Sequence, residues 1–424
     1  IAIGDLALAA QDAGADAYNT AVGHNAGLNV STGVKNTIVG GLAGDAITTG
    51  GHNVAVGYQA LSSDTVGWNN VAIGQDALRD NVDGSRNVAI GGTALSAMDP
   101  ASATDTYNVA VGYAAGLSVT TGIYNNLIGG LAGDALTTGS SNVAIGYSAL
   151  STEDAHGKNV AVGYTALFAQ NAGADAYNTA VGYEAGLSVT TGTQNTLIGG
   201  LAGDALTTGS TNVAIGYQAL STEDTRGGNV AIGRYALQVQ NADADSFSTA
   251  VGYNAGVSVS TGIKNVILGG KAGDALTTGS NNIIIGYEAA ASAVDVSNEI
   301  TLGDANISAF RCADQSIAAL SDGRDKTDIK DSKFGLDFID TIRPVEFTWD
   351  FRPENMSEVK QGKKRVGFIA QELQEAMPNN ENEILDLVYE INEERIEAKY
   401  SNLVPILVKA VQELSAKVKE LENK

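Results

Sequence analysis

The chain has 424 residues, of which 51 are glycine and one is cysteine, and its formal net charge is −23. Such an acidic chain repels phosphate backbones, which argues against nucleic acid as a partner, and it attracts cations. The single cysteine, Cys312, excludes a disulfide framework within one chain. No apolar run reaches the length of a membrane span and no signal peptide is evident, so we expect no membrane insertion.

The first 290 residues return again and again to one short phrase, Asn-Val-Ala-Ile-Gly, with an alanine three residues after the glycine. Most repeat glycines are 17 residues apart, with a few steps of 19 and one of 21. The repeat glycines are Gly4, Gly23, Gly40, Gly57, Gly74, Gly91, Gly112, Gly129, Gly146, Gly163, Gly182, Gly199, Gly216, Gly233, Gly252, Gly269 and Gly286. A period this short predicts a solenoid of 17 coils, each packed on the next.

Each coil has the same internal order of residue types. An asparagine such as Asn53 begins the phrase, and its amide could hydrogen-bond to equivalent amides up the stack. The residues Val54, Ala55 and Val56 then form a short strand whose two faces are both apolar. We expect the bulky face to fill the coil. The small face, together with alanines such as Ala60, should then pack against neighbouring chains around a shared axis.

Three sets of repeat residues are candidates for binding. Equivalent aspartates could bind calcium, although a solvated turn is favoured: Asp45, Asp134, Asp204 and Asp274. Tyrosines directly after the repeat glycine could bind carbohydrate, although aromatic packing along a turn is favoured: Tyr58, Tyr113, Tyr147, Tyr164, Tyr183, Tyr217, Tyr253 and Tyr287. The histidines His24, His52 and His156 are scattered, so the sequence predicts no metal constellation and no cofactor.

Beyond Gly303 the composition changes to that of a small mixed domain. Residues 333–351 combine a helical spacing with an alternating strand, and residues 363–378 read as a strand entering a helix. Residues 400–421 then carry a coiled-coil seam with steps of three and four. The seam residues after Tyr400 are Val404, Leu407, Val411, Leu414, Val418 and Leu421. Three heptads are too short to be stable alone, so the helix should close a multi-chain bundle; packing on its own domain is the alternative.

Both regions resemble known families. The repeats resemble the heads of trimeric autotransporter adhesins, which implies a left-handed parallel β-roll and a trimer. Three ordered motifs resemble the intramolecular chaperone autoprocessing domains that end phage tail spikes and tail fibres. These motifs are the junction Ser321, Asp322, Arg324 and Lys326, the box Val366 to Glu372, and the helix start Tyr400, Ser401, Leu403 and Pro405.

The second resemblance implies a single self-directed proteolysis. Ser321 would be the nucleophile that attacks the carbonyl of Leu320, and Lys326 would be the base, which requires a neutral amine. Arg324 would supply a nearby cation or stabilise the oxyanion, whereas Asp322 would fix the turn. The scissile bond would then join Leu320 to Ser321.

Together these expectations describe a mainly β, trimeric left-handed β-roll shaft (1–303), a junction (304–320) and a small α+β chaperone domain (321–424) that ends in a coiled-coil helix. The function expected is a phage tail fibre or spike in the virion tail, assembled in the host cytoplasm. Its partners would be a host-surface glycan or protein receptor and other tail proteins, the latter bound through a part upstream of Ile1. A polysaccharide-degrading spike and a bacterial trimeric surface adhesin are the alternatives.

Overall fold

A computed structural model describes residues 1–14, 16–307, 309–311, 321–350, 361–377, 382–392 and 395–424. The chain divides into two units, the shaft Ile1–Gly303 and the C-terminal unit Asp304–Lys424. No helix among the described residues is long and apolar enough to cross a membrane.

The shaft is built from very short strands, most of them three residues long. Their bounds are β1 (Ala2–Ile3), β2 (Thr20–Val22), β3 (Thr37–Val39), β4 (Val54–Val56), β5 (Val71–Ile73), β6 (Gly84–Ser85), β7 (Val88–Ile90), β8 (Thr104–Asp105), β9 (Val109–Val111), β10 (Asn126–Ile128), β11 (Val143–Ile145), β12 (Val160–Val162), β13 (Thr179–Val181), β14 (Thr196–Ile198), β15 (Val213–Ile215), β16 (Val230–Ile232), β17 (Thr249–Val251), β18 (Val266–Leu268), β19 (Ile283–Ile285) and β20 (Ile300–Leu302). Strands β6 and β8 pair with each other, and the other 18 form one sheet.

Strands of successive coils pair in parallel, with equivalent residues side by side. Val54 pairs with Val71, and Val71 pairs with Val88. This confirms the predicted solenoid. The expected count of 17 coils is one too low, because β20 pairs with β19 in the same register although it lacks the full repeat phrase.

A ladder of asparagines runs beside the strands. The backbone N–H of Asn36 donates to Oδ1 of Asn19 at 2.8 Å, and Nδ2 of Asn36 donates to the carbonyl of Gly50 at 3.0 Å. The next rung repeats the pattern, since the N–H of Asn53 donates to Oδ1 of Asn36 at 2.9 Å. These side chains are buried, so the ladder satisfies backbone groups that water does not reach. Most rungs join side chain to backbone rather than amide to amide.

The two faces of each strand point the opposite way from the expectation. Ala55 lies inside the coil and is fully buried, whereas Val54 and Val56 on the other face remain partly exposed. Ala60 is also buried within its own coil. The expectation that small residues meet neighbouring chains is therefore wrong. The interior is shared with Leu61 from the same coil, so the strand centre has room for little more than a methyl group.

Glycines compensate wherever the strand centre carries a large side chain. Leu127 takes the place that alanine has in most coils. A Cβ added at Gly116 would come within 2.7 Å of Leu127, and one added at Gly133 within 2.8 Å. These two glycines stand where other coils have leucine, so the total core volume stays similar along the shaft.

The outward face forms a continuous apolar stripe, which we call the outer stripe. It consists of the third residue of every three-residue strand from β2 to β20, which is always valine, isoleucine or leucine. Nine of its members are 36–39% exposed: Val39, Ile73, Ile90, Ile128, Ile145, Val181, Ile198, Val251 and Ile285. Contiguous exposed apolar residues of this kind are typical of interaction surfaces.

The C-terminal unit is a small α+β domain, as expected. Its elements are a 3₁₀ turn (Gly323–Asp325), α1 (Leu336–Ile339), β21 (Val345–Thr348), β22 (Lys364–Gly367), α2 (Ala370–Ala376), α3 (Asn382–Leu385), β23 (Val388–Asn392), β24 (Arg395–Ala398), a second 3₁₀ turn (Tyr400–Asn402) and α4 (Leu403–Glu422). Strands β21 and β22 pair antiparallel, as do β23 and β24. The core consists of Phe334, Phe338, Met377, Leu385, Leu387, Leu403 and Ile406.

Helix α4 has two apolar faces. Leu403, Ile406 and Ala410 are buried against the rest of the unit, including α1. The predicted seam lies on a different face and is 44–71% exposed at Val404, Leu407, Val411, Leu414, Val418 and Leu421. The helix therefore packs on its own domain through one face and still presents the seam to solvent.

Candidate functional site

The junction motif forms a compact turn that brings Ser321 and Lys326 together. Nζ of Lys326 donates to Oγ of Ser321 at 2.6 Å. The turn is a 3₁₀ helix (Gly323–Asp325), in which the N–H of Lys326 donates to the carbonyl of Gly323. Across this single turn, the side chains of residues five apart in sequence come within hydrogen-bond distance.

Asp322 begins the turn and also binds its arginine. Its Oδ1 accepts from the backbone N–H of Arg324 at 2.9 Å, which caps the 3₁₀ helix. The guanidinium of Arg324 donates from Nε to both carboxylate oxygens, at 3.0 and 3.1 Å. This contact lowers the pKa of Asp322 below its ordinary value and raises the pKa of Arg324. Arg324 is thus paired with Asp322. Its expected roles, as a cation near Lys326 or as a donor to the oxyanion, remain predictions.

All four junction side chains are exposed. Residues 321–330 form a stretch without a buried side chain. Leu320 and Cys312 lie outside the described residues, so the position of the Leu320 carbonyl relative to Ser321 stays a prediction. The described geometry therefore places a serine hydroxyl and a lysine amine in contact, without an enclosed site around them.

The other two motifs of the C-terminal unit contact each other. A Cβ added at Gly367 would come within 2.8 Å of the Tyr400 hydroxyl, so the glycine makes room for the tyrosine. The rings of Phe368 and Tyr400 meet edge to face at 5.5 Å. An apolar groove of about 320 Å³ lies beside them. It is lined by Ile339, Ile342, Pro344, Phe368, Tyr400, Leu403 and Leu407. These two motifs contribute to the packing of the domain, whereas the junction motif is exposed.

Sequence reasoning missed the contact that ties α1 to α4. The carboxylate of Glu413 accepts from the backbone N–H of Leu336 at 2.8 Å, which lowers the pKa of Glu413. Gly335 leaves space for this carboxylate. The contact joins residues 77 positions apart. Glu413 reads in the sequence as an ordinary polar residue of the coiled coil, so no local signal could have identified it.

The repeat tyrosines are exposed and several stack along the shaft. The rings of Tyr147 and Tyr164 lie 5.6 Å apart, and those of Tyr164 and Tyr183 lie 5.4 Å apart, nearly parallel. Stacking occupies the ring faces that a sugar would need. The arrangement favours aromatic packing over a carbohydrate-binding stripe.

The equivalent aspartates differ in their surroundings. Burial raises the pKa of Asp45 and of Asp204, whereas Asp134 accepts a hydrogen bond from the hydroxyl of Ser151. Among the described residues, none of these aspartates belongs to a group of three potential metal ligands. The calcium hypothesis for these positions gains no support from their geometry.

Comparison with known families supports the resemblance seen in the C-terminal unit. Residues 321–380 match the family model described as chaperone of endosialidase. The match begins at Ser321, and this family consists of self-cleaving chaperone domains. A β-solenoid joined to such a domain fits a tail spike with a chaperone domain. No curated protein and no solved structure matches the chain.

Proposed function

We propose that this chain is the shaft and chaperone of a trimeric phage tail spike or tail fibre, and that the C-terminal unit cleaves itself off between Leu320 and Ser321. The observation that carries the proposal is the 2.6 Å hydrogen bond between Lys326 Nζ and Ser321 Oγ. It lies at the first residue of the match to a self-cleaving family.

The proposed reaction has two steps. Oγ of Ser321 forms an ester bond with the carbonyl carbon of Leu320 while the peptide C–N bond breaks. Lys326 takes the hydroxyl proton and passes it to the leaving nitrogen. Water then hydrolyses the ester, which leaves a carboxylate on Leu320 and a free amino group on Ser321.

Assembly would switch this reaction on. Lys326 accepts a proton only as a neutral amine, and exclusion of water favours that form. The side chain is exposed within one chain. We therefore place cleavage after trimer formation, when neighbouring chains cover the junction. The family match implies trimer formation, and the exposed seam of α4 provides a suitable contact surface.

The shaft explains why a removable template is useful. Its coils are nearly identical, so three chains could pair in a slipped register. A trimer that forms first at α4 would set the register, and the outer stripes could then close against one another from that end. Cleavage afterwards removes the template, so the shaft cannot unfold by the route along which it folded, and its stability becomes kinetic.

The mature shaft would stand in the virion tail after assembly in the host cytoplasm. Its partners would be a host-surface glycan or protein receptor and other tail proteins. The tyrosine stacks do not identify the receptor, so this part of the proposal rests on the resemblance and on the family match.

Denaturing electrophoresis and intact mass measurement test the cleavage. Wild type should give fragments 1–320 and 321–424, whereas Ser321→Ala and Lys326→Gln should remain whole. Lys330→Gln, at an exposed lysine four residues further on, is the matched control and should cleave normally. An uncut wild-type trimer, or cleavage of Ser321→Ala, would refute the proposed chemistry.

A further inference from the structure

One inward position of the coil is apolar in most coils and polar in a few pairs of successive coils. It lies seven residues after the repeat glycine, where many coils carry valine, isoleucine or leucine. In three places two successive coils instead carry a buried acid followed by a buried amide. These pairs are Asp64 and Asn81, Glu153 and Gln170, and Glu223 and Gln240. A buried carboxylate needs partners for its oxygens, so the three acids can be compared directly.

The first acid is fully partnered by the chain itself. Oδ1 of Asp64 accepts from the N–H of Gly67 at 2.7 Å. Its Oδ2 accepts from Nδ2 of Asn70 at 3.1 Å and from Nδ2 of Asn81 at 2.9 Å. Both oxygens thus have protein donors, and nothing at this coil calls for a further ligand.

The second acid is not satisfied in this way. Glu153 is fully buried; one oxygen accepts from the backbone N–H of His156 at 3.2 Å, and the other has no hydrogen-bond partner among the described residues. Nδ1 of His156 is also buried without a hydrogen-bond partner, and it lies 3.5 Å from Oε1 of Glu153. An oxygen of Asp154 completes the group, and the three ligand atoms lie within 4.8 Å of one another.

We propose that Glu153, Asp154 and His156 bind a first-row transition-metal dication of the Zn²⁺ type. Two ligand atoms on a tetrahedral Zn²⁺, with bonds of about 2.0–2.2 Å, are separated by roughly 3.3–3.6 Å. The 3.5 Å between Oε1 of Glu153 and Nδ1 of His156 falls in this range. The ion would partner the buried carboxylate and the imidazole nitrogen together, and Asp154 would supply a third ligand at the surface.

The chain contains a natural counterpart of this turn that lacks the nitrogen ligand. Glu223 and Asp224 stand 70 residues after Glu153 and Asp154, but Arg226 replaces the histidine. The backbone N–H of Arg226 donates to Glu223 at 3.2 Å, as that of His156 does to Glu153. The two turns therefore share their backbone geometry and the buried glutamate oxygen without a hydrogen-bond partner among the described residues, and they differ in the imidazole nitrogen that would bind the metal.

Zn²⁺ binding by the full, untagged chain tests the proposal. Equilibrium dialysis followed by elemental analysis should find one Zn²⁺ per chain in wild type. His156→Arg, which copies the second turn, should lower the affinity at least tenfold, and Glu153→Gln should do the same. His24→Ala is the control for ordinary surface histidines and should leave the stoichiometry at one.

The reciprocal variant excludes an explanation by misfolding. Arg226→His should create a second site and raise the stoichiometry from one to two Zn²⁺ per chain. The far-UV circular dichroism of each variant should match that of wild type. Absence of Zn²⁺ from wild type, or undiminished binding by His156→Arg, would overturn the proposal, as would a stoichiometry of one in Arg226→His.

Discussion

The shaft and the C-terminal unit solve the problem of burying a small core in different ways. The shaft repeats one solution, in which most coils use a small strand centre, an asparagine of the ladder and a repeat glycine. The C-terminal unit gathers phenylalanines, leucines and a methionine from distant segments into one core. Each unit leaves a row of apolar residues exposed, as the outer stripe and as the seam of α4. The difference predicts that the shaft is intolerant of local change, whereas the exposed seam of α4 tolerates it within one chain.

The largest effect should come from a repeat glycine. Gly57 has φ +140°, and a Cβ there would collide with the backbone carbonyl of Gly74 on the next coil. Gly57→Ala should therefore cost more than about 4 kcal/mol, because neither backbone can move without breaking the stack. The loss of stability would be measured as reduced resistance to digestion by thermolysin. Gly173→Ala, at φ +69° with open space around it, is the control and should cost only about 1 kcal/mol. Equal losses of stability in the two variants would show that the contact with the next coil is not the reason why glycine is required at position 57.

The asparagine ladder should be nearly as sensitive. Oδ1 of Asn125 accepts from the N–H of Asn142 at 3.0 Å, and its Nδ2 donates to the carbonyl of Gly139 at 2.8 Å. Asn125→Ala leaves both groups buried and unpaired, so we expect a loss of about 2–4 kcal/mol in thermal unfolding.

Asn125→Ser is the matched comparison for the ladder. At Ser248 the natural chain already uses a hydroxyl, which accepts from the N–H of Asn265 at 3.3 Å. The serine variant should therefore lose less stability than the alanine variant. The same loss in both would mean that the acceptor oxygen contributes little.

Asp64 should make the stability of the shaft depend on pH. Burial raises its pKa from 3.8 to about 7, so the folded shaft favours the protonated carboxyl. The resulting stabilisation is complete below pH 3.8 and is lost as the pH rises through 7. Between pH 5 and pH 8 the loss should be about 2–3 kcal/mol. Asp64→Asn should remove this part of the pH dependence, as measured by thermal unfolding at both values. Asp99→Asn, at an exposed position, is the control, and a shared pH profile of wild type and Asp64→Asn would contradict the prediction.

The smallest effect on the fold of one chain should come from the seam of α4. Leu414 is half exposed, so Leu414→Asp should change the stability of the isolated domain by about 1 kcal/mol or less. It should nevertheless weaken the trimer, because a charge would enter the contact between helices. Light scattering in the Ser321→Ala background would show this. Ala416→Asp places the same charge away from the seam and should leave the trimer intact. If both variants lost the trimer, the seam would not be the contact between the helices.

The sequence determined the period and the strands, and it identified the junction motif at which the family match begins. A step of 17 residues admits one parallel register, so the coils follow from the spacing of the glycines alone. Ser321 and Lys326 were recognisable because the motif is local, and one turn of 3₁₀ helix suffices to join them. The eighteenth coil was missed because its strand, β20 (Ile300–Leu302), keeps the strand pattern without the asparagine and the alanine of the repeat phrase.

Only the tertiary structure decided which face of each strand lies inside. Both faces are apolar, so the pattern around Val54, Ala55 and Val56 fits either orientation. The decision depends on volume, because Leu61 and the alanines already fill the interior and leave space for a methyl group rather than for two valines. The same holds for Glu413 and Leu336, whose hydrogen bond joins segments far apart in sequence. Local patterns specify elements, whereas space inside a coil and contacts between distant segments exist only once the chain has folded.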